Sequence, residues 1–397
     1  MVTPRLHDAR AARRVAGFGE TVFARYSEVA RQTGAVNLGQ GFPDEPPAAL
    51  VLEALREAAA GPQQYPPLPG LPALTEVLAD TVGARLGRRL DPQGEVLVTV
   101  GATEGLFATL QALVDPGDAV LLIAPWYDAY PAMVTMAGGR VVGVSMQERD
   151  GAWRLDRAAL AAAVGERITA IVITTPHNPT GAVLTPEDLD AVVAVAERAD
   201  AVIVSDEVYE HLSFVPFTPA ASRPGAWERT LSISSVGKSY AVTGWKVGWV
   251  TGPEPLVRAV RAAHQWIPYT VATPLQQAVA TILRSDLAAG GALLTEQRER
   301  YRARRDSLQA GLIEVGFTVS RADGGYFLVA DARPLGEPDA EALAQRLPLE
   351  AGVVAIPMTP FADATTHAVS DGRLRFAFCK SQASIDEACR RLRDWRG

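Results

Sequence analysis

The strongest constraint on the fold is a series of seven short apolar runs between residues 95 and 252. They are EVLVTV (95–100), AVLLIA (119–124), RVVGVS (140–145), TAIVIT (169–174), AVIVS (201–205), TLSIS (230–234) and VGWVTG (247–252). Nearly continuous apolar strands are expected when both faces of a sheet are buried. Helical patterns lie between many of these runs, and one has a clear start, with Thr185 as N-cap and Pro186 in the first turn. The alternation predicts an α/β domain with a large, mostly parallel, seven-stranded sheet.

The pattern changes after about residue 290. A long Arg/Glu-rich helix is predicted over 295–315, and a final helix closes the chain. Between them lie short strand-like runs, FTVS, YFLVA, VVAI and RLRFAF. This part predicts a smaller α+β domain. We therefore expect a large domain over 46–285, a small domain over 286–397, and an N-terminal segment, 1–45, packing on the small domain.

The composition argues against several kinds of partner. The formal net charge is −7, so no basic stripe for nucleic acid is expected. The apolar runs fall short of the ~20 residues of a membrane helix. The N-terminus has arginines but no apolar core, which favours a surface leader over a secretory signal or a mitochondrial presequence. Two cysteines cannot form a disulfide framework, Cys and His lack metal-ligand spacing, and a cytoplasmic location is expected.

Lysine is rare in this chain, and its positions are informative. Of 38 Lys and Arg residues, only Lys238, Lys246 and Lys380 are lysine. Lys238 follows the 230–234 run, and ligands bind at the carboxyl ends of parallel strands. A buried lysine loses proton affinity and becomes a nucleophilic amine, whereas arginine never deprotonates. We therefore interpret Lys238 as a Schiff-base lysine rather than a solvated loop residue.

Three other predicted strands also end in polar or aromatic motifs. GATEG (101–105) before a helix suits an anion but also a tight turn. In PWYDAY, Trp126 and Tyr127 offer a flat face for an aromatic ligand, although simple packing explains them as well. In TPHNPTG, Asn178 offers both donors and an acceptor, and a turn would also account for it. We interpret His177 in the same motif as structural.

An acid stands directly after the fifth apolar run. Asp206 opens DEVYE, where a buried carboxylate requires a cation or a hydrogen-bond donor. Tyr209, three residues later, can point the same way. An amine, a buried acid, an aromatic face and an anion cradle together form the set that binds pyridoxal 5′-phosphate, PLP.

These motifs occur in the order found in one family. They include VNLGQGFPDEPP, QQYPPLPG, VTVGATEGLF, APWYDAY, TPHNPTG, SDEVYEHL, SISSVGKSYAVTGWKVGW, GGYFLVAD, VVAIPMTPF and LRFAFCK. The sequence resembles the class I aminotransferases of fold type I over nearly its whole length. It looks most similar to the kynurenine/glutamine-type, methionine-type and N-succinyldiaminopimelate aminotransferases.

The resemblance implies a role for each residue around the cofactor ring. Lys238 would carry the Schiff base and move the substrate proton. Asp206 would keep the pyridine nitrogen protonated, and Tyr127 would stack on the ring. Tyr209 and Asn178 would bind its phenolic oxygen.

The cofactor phosphate would be held by a second group. The resemblance places it against the Ala102–Thr103 backbone, Ser235 and Lys246. Tyr65 would reach in from a second subunit, which implies a homodimer.

For the substrate, the resemblance implies that Arg375 clamps the α-carboxylate beside the Gly41 backbone and Asn178. Strand alternation alone cannot choose between Arg375 and Arg373. The residues expected to line the side-chain pocket are Phe23, Tyr65, Trp266 and Tyr269.

The implied function is a ping-pong transfer of the amino group of an aromatic, Met, Gln or kynurenine-like amino acid to a 2-oxo acid. Thr270 departs from the histidine of some kynurenine-type relatives. An N-succinyldiaminopimelate or aspartate-type aminotransferase, and a cysteine-S-conjugate β-lyase, remain alternatives. A non-catalytic PLP regulator would need a DNA-binding domain, for which the chain has no room before residue 36.

Overall fold

A computed structural model of the chain describes residues 12–165 and 167–396. The first eleven residues of the predicted N-terminal segment, including His7, lie outside the described part. The α-helices are Val22–Thr33, Ala49–Ala59, Pro72–Leu86, Gly101–Leu113, Ala129–Ala137, Arg157–Ala162, Pro186–Ala199, Val236–Ser239, Glu254–His264, Thr273–Ala288, Ala292–Val315, Ala340–Glu350 and Gln382–Arg396.

All seven apolar runs form strands of one sheet, which confirms the predicted mostly parallel α/β fold. In spatial order the strands are Val96–Thr99, Gly248–Thr251, Thr230–Ser235, Val202–Asp206, Ile168–Thr174, Ala119–Ala124 and Arg140–Ser145. The strand Gly248–Thr251 is antiparallel to both of its neighbours, and the remaining pairs are parallel. Because most of these strands are buried along their whole length, their near-continuous apolar sequence is explained.

Local signals fix the helix ends that sequence analysis identified. Thr185 caps the helix Pro186–Ala199 by accepting from the Asp188 N–H at 3.2 Å, and the Asp188 carboxylate accepts from the Thr185 N–H at 3.0 Å. This reciprocal capping box leaves two fewer unpaired N–H groups at the helix start. The predicted helix over 295–315 begins earlier, at Ala292.

The C-terminal part contains a four-stranded antiparallel sheet in the order Thr318–Val319, Phe327–Asp331, Arg373–Ala377 and Ile356–Pro357. The predicted VVAI strand is divided, because Val353–Val354 instead pairs in parallel with Val36–Asn37 of the N-terminal segment. The remaining strands form a hairpin, Gln147–Arg149 with Ala152–Arg154. The N-terminal segment therefore contacts the C-terminal part, while the domain boundaries at residues 45 and 285 stay a prediction.

The sheet places polar residues together at one edge. Thr174 and Asp206 are register partners at the ends of adjacent parallel strands, and Ser235 ends the next strand. Side chains from three strand ends therefore meet where a ligand can reach them. Within the described residues no single helix is long and apolar enough to cross a membrane. One bent helix pair, Thr273–Ala288 with Ala292–Val315, has the length and composition to do so.

Candidate active site

A cleft of about 930 Å³, counting the open space at its mouth, lies at the carboxyl edge of the large sheet. Twelve of the predicted site residues line it: Phe23, Gly41, Ala102, Thr103, Tyr127, Asn178, Asp206, Tyr209, Ser235, Lys238, Lys246 and Arg375. The structure therefore brings together side chains that are up to 352 positions apart in the chain.

Asp206 is a buried acid whose partners are neutral. The Tyr130 hydroxyl donates to its Oδ2 at 2.6 Å, and the Val208 N–H donates to Oδ1 at 3.3 Å. Tyr130 also contacts the Thr174 hydroxyl at 2.7 Å. Burial raises the pKa of Asp206, and the hydrogen bond from Tyr130 acts in the opposite direction. None of the ion pairs among the described residues includes Asp206, so a cation in the cleft would complete its environment.

Lys238 projects from the short helix Val236–Ser239 that follows a central strand. Its ammonium lies 5.9 Å from the centre of the Tyr209 ring and 5.5 Å from that of Tyr326. The side chain is partly buried, and burial lowers the pKa of Lys238 to about 8. The neutral amine is therefore reached near physiological pH, as a nucleophilic lysine requires.

The helix Gly101–Leu113 points its N-terminus at the cleft. Sequence analysis placed GATEG before this helix, whereas the helix begins at Gly101 itself, so Ala102 and Thr103 lie in its first turn. First-turn N–H groups have no acceptor inside their helix and favour an anion. A Cβ on Gly101 would lie 3.5 Å from the Lys246 ammonium, so a cation stands beside these N–H groups. Ser235 lines the same cleft.

Arg375 reaches the cleft from the small sheet. Its Nη1 donates to Asn178 Oδ1 at 2.9 Å, and its Nη2 donates to the Gly39 carbonyl at 2.9 Å. The guanidinium is buried and lies 3.8 Å from the centre of the Phe327 ring. Burial lowers the pKa of Arg375 to about 10, which still leaves it charged at neutral pH.

Arg373 has other partners than Arg375, although the two residues point to the same face of one strand. Its Nη2 pairs with Glu148 Oε2 at 2.9 Å, outside the cleft. Of the two arginines between which strand alternation could not choose, only Arg375 lines the cleft.

The N-terminal segment forms one wall of the cleft. Phe23 lies on the helix Val22–Thr33, and its backbone carbonyl accepts from Gln40 Nε2 at 2.8 Å. The Gly41 carbonyl accepts from the Tyr326 hydroxyl. A Cβ on Gly41 would lie 2.6 Å from the Phe327 ring, so this close approach requires glycine.

Three predicted pocket residues lie elsewhere. Tyr65, Trp266 and Tyr269 are 81%, 85% and 54% exposed and do not line the cleft of this chain. Tyr65 packs edge-on against Tyr269 with ring centres 5.4 Å apart. Trp126 of the PWYDAY motif is buried in the hydrophobic core. His177 is buried and contacts the Thr180 hydroxyl at 2.8 Å, in agreement with a structural role.

Sequence analysis missed several residues that line the cleft, among them Gln40, Tyr130, Thr174, Thr243 and Phe327. Tyr130 had a usable signal, because it follows Tyr127 by three positions, and in the structure the two rings pack edge-on with centres 5.5 Å apart. Phe327 stands inside the GGYFLVAD motif but carries no polar group that draws attention. Thr174 lacked any sequence signal beyond ending a strand.

A family model for aminotransferase class I and II matches residues 33–392, a span that holds the large sheet, the four-stranded sheet and every cleft residue named above except Phe23. The chain belongs to this aminotransferase family. Members depend on PLP and transfer an amino group between an amino acid and a 2-oxo acid, so this protein is a PLP-dependent aminotransferase of fold type I.

Individual relatives of this aminotransferase agree in fold. The solved N-succinyldiaminopimelate aminotransferase of Mycobacterium tuberculosis is 45% identical, with a TM-score of 0.93 over 97% of this chain and 100% of that one. YbdL of Escherichia coli, with a methionine aminotransferase function, is 34% identical, with a TM-score of 0.90 over 97% and 99%. Human kynurenine–oxoglutarate transaminase 1 is 35% identical over 97% of this chain and 98% of its own.

The residues that line the cleft of this aminotransferase fit PLP, independently of the comparison with relatives. The buried Asp206 carboxylate, bound by neutral donors, suits a protonated ring nitrogen. The first turn at Ala102–Thr103 with Lys246 beside it suits a phosphate. The partly buried Lys238 amine suits the aldehyde. Each of these groups faces the same cleft, so one ligand can engage all of them.

Proposed function

We propose that this aminotransferase prefers amino donors with an uncharged side chain, of the aromatic, Met, Gln or kynurenine-like class. The observation that carries this proposal is that Arg375 is the one arginine among the described residues that line the cleft. Phe23, Tyr127 and Phe327 form much of the remaining wall. A second carboxylate on the substrate would therefore find no second guanidinium among the described residues that line the cleft.

The bound cofactor supplies an electron sink for the carbanion that forms when the substrate loses its Cα proton. In our proposal, Lys238 would hold the cofactor covalently, would be released as a free amine when the substrate amine takes its place, and would then accept and return the Cα proton. The pKa of about 8 supports this role, because the same amine must both take and release a proton.

The other predicted residues have roles in binding. Asp206, oriented by Tyr130, would hold the ring nitrogen protonated. Tyr127 would stack on the ring, and Tyr209 and Asn178 would bind its phenolic oxygen.

The phosphate end would use the Ala102 and Thr103 N–H groups, the Ser235 hydroxyl and the Lys246 ammonium. At the substrate end, Arg375 would clamp the α-carboxylate. Its Nη1 and Nη2 are held by Asn178 and Gly39, so the fork is oriented before substrate arrives.

We also propose a homodimer in which a second copy contributes Tyr65, and in which Trp266 and Tyr269 complete the side-chain pocket. The support is their exposure, because large apolar rings left in water mark an interaction surface. A cytoplasmic location is proposed with it, since the two cysteines are unpaired and buried.

A half-reaction panel tests the donor proposal. The PLP-loaded protein is mixed with single amino acids without an acceptor, and the cofactor spectrum is followed from the aldehyde to the amine form. Fastest conversion by Phe, Met, Gln or kynurenine supports the proposal. Fastest conversion by Asp, Glu or N-succinyldiaminopimelate contradicts it, and the last result would match the 45% identical relative. Ammonia and keto acid released repeatedly from a β-substituted amino acid would indicate a β-lyase.

A further inference from the structure

The third lysine of the chain, Lys380, is buried and lies outside the lining of the cleft. Lys380 is 3% exposed and follows the strand Arg373–Ala377 that carries Arg375. Its Nζ donates to the Phe42 carbonyl at 2.7 Å and lies 4.2 Å from the centre of the Phe42 ring. An arginine there would bring five N–H donors to a slot that shows one acceptor, which explains a lysine in a chain of 35 arginines.

The Phe42 carbonyl belongs to residues 39–45, which we call the cleft loop. The loop has further anchors on the same side. The Ser381 N–H donates to Asp44 Oδ1 at 2.5 Å, and the Ser384 hydroxyl donates to Asp44 Oδ2 at 2.7 Å. Arg304 pairs with Glu45 at 2.6 Å. The outer end of the cleft loop is therefore fastened to the C-terminal part of the chain.

The inner end of the cleft loop contacts the substrate end of the cleft. The Gly39 carbonyl accepts from Arg375 Nη2, and Gln40 and Gly41 line the cleft. Only two residues lie between Gly39, whose carbonyl accepts from Arg375, and Phe42, whose carbonyl accepts from Lys380. A change at Lys380 is thus transmitted through a short, anchored segment of backbone.

We propose that Lys380 is a positioning residue for the substrate α-carboxylate: it fixes the cleft loop, and the loop fixes the orientation of the Arg375 guanidinium. The inference rests on the proposed role of Arg375 as the carboxylate clamp. Because every amino acid has the same α-carboxylate, the effect of Lys380 is independent of the donor side chain.

The test follows the donor half-reaction of the PLP-loaded protein with L-phenylalanine and, separately, with L-glutamate. Lys380→Met keeps the apolar stem and removes the donor. We expect its donor dissociation constant to rise about tenfold for both amino acids, as for the loss of a hydrogen bond to a charged group, with the limiting rate nearly unchanged. Amide hydrogen exchange of residues 39–45 should become faster, a readout that does not depend on turnover.

Arg373→Met is the matched control. It removes a cation from the strand that precedes Lys380, and this cation pairs with Glu148 rather than with the cleft loop. In this control, both donor dissociation constants and the amide hydrogen exchange of the cleft loop should stay at wild-type values. A purely structural role for Lys380 would lower thermal stability and leave both donor constants unchanged, and this result would overturn the inference.

Arg375→Met separates the two proposals. If it leaves both donor constants unchanged, the clamp role fails and the Lys380 inference fails with it. If Arg375→Met weakens the binding of both donors while Lys380→Met binds them as the wild type does, the Lys380 inference alone is wrong. Should Lys380→Met fail to fold, Asp44→Asn provides a second test, because it weakens the anchor of the cleft loop at Ser381 and Ser384. This variant should then raise both donor dissociation constants by a common factor, and wild-type dissociation constants would refute the inference.

Discussion

The floor of the cleft and the exposed aromatic surface differ in where their side chains find partners. We define the cleft floor as Tyr130, Asp206, Lys238 and Arg375, and the exposed aromatic surface as Tyr65, Trp266 and Tyr269. In the cleft floor, the Tyr130 hydroxyl donates a hydrogen bond to Asp206. The Arg375 guanidinium donates hydrogen bonds to Asn178 and to a backbone carbonyl. On the surface, the largest rings are mostly exposed.

This difference separates two parts of one function. A single chain can orient the groups that act on the cofactor and on the α-carboxylate, because buried hydrogen bonds fix them. The groups expected to read the donor side chain are not fixed in the same way. We infer that the common chemistry is built into the fold of one chain, whereas the proposed second copy would add to the selection of the donor.

The largest effect is expected in the cleft floor from Lys238→Ala. Removing the amine should abolish the covalent linkage and lower kcat by at least ~10²–10⁴-fold, the range for loss of a proton-transfer group. Single-turnover spectra and steady-state assays measure both. Near-wild-type turnover in this variant would remove the basis of the assignment.

Lys246→Ala should weaken cofactor retention rather than the chemistry. Loss of one charged contact to phosphate is expected to raise the PLP dissociation constant about tenfold or more. Fluorescence titration of the apo-protein measures the constant, and kcat at saturating PLP serves as the internal control. Unchanged PLP affinity would contradict a phosphate role for Lys246.

Tyr130→Phe tests how the floor sets the charge of Asp206. The Tyr130 hydroxyl lowers the pKa of a carboxyl that burial raises, so its removal should raise the pKa of Asp206 further. The carboxylate form is then lost at a higher pH as the solution is acidified. We expect the acidic limb of the kcat/KM profile to move to higher pH. On the acidic side of that limb, kcat/KM should be about tenfold lower than in the wild type. An acidic limb identical to wild type would show that Tyr130 does not tune Asp206.

The smallest effect on turnover is expected on the exposed aromatic surface. Trp266→Ala should lower kcat/KM up to about fivefold at high protein concentration, as most single interface residues do. It should also make the activity depend on protein concentration. If activity and sedimentation both match wild type at every concentration, Trp266 faces solvent in the working molecule, and the contrast between the two regions has another cause.

Sequence patterns predicted the large sheet better than they predicted the small domain. Seven apolar runs sufficed for the sheet because burial on both faces leaves a strong signal in each strand. Lys238 and Asp206 could be found because each is an unusual residue for its position. The split of VVAI between two partners could not be predicted, since pairing with Val36–Asn37 depends on contacts more than 300 residues apart in the chain.

Within the cleft, the motifs identified charged and amide groups but not the residues that orient them. Tyr130 and Gln40 act through hydrogen bonds to other residues, which a sequence does not display. Arg375 could be separated from Arg373 only by the family resemblance or by position in the fold. The exposed aromatic surface was assigned to the pocket by resemblance alone.

One measurement tests the central claim that Lys238 carries the cofactor. The PLP-loaded protein is reduced with sodium borohydride, which makes a lysine–cofactor linkage permanent, and its peptides are mapped by mass spectrometry. Because the chain has only three lysines, the map has few possible results. We expect a pyridoxyl group on the peptide that contains Lys238 and none on Lys246 or Lys380. Stoichiometric labelling of either of those two, with Lys238 unmodified, would contradict it.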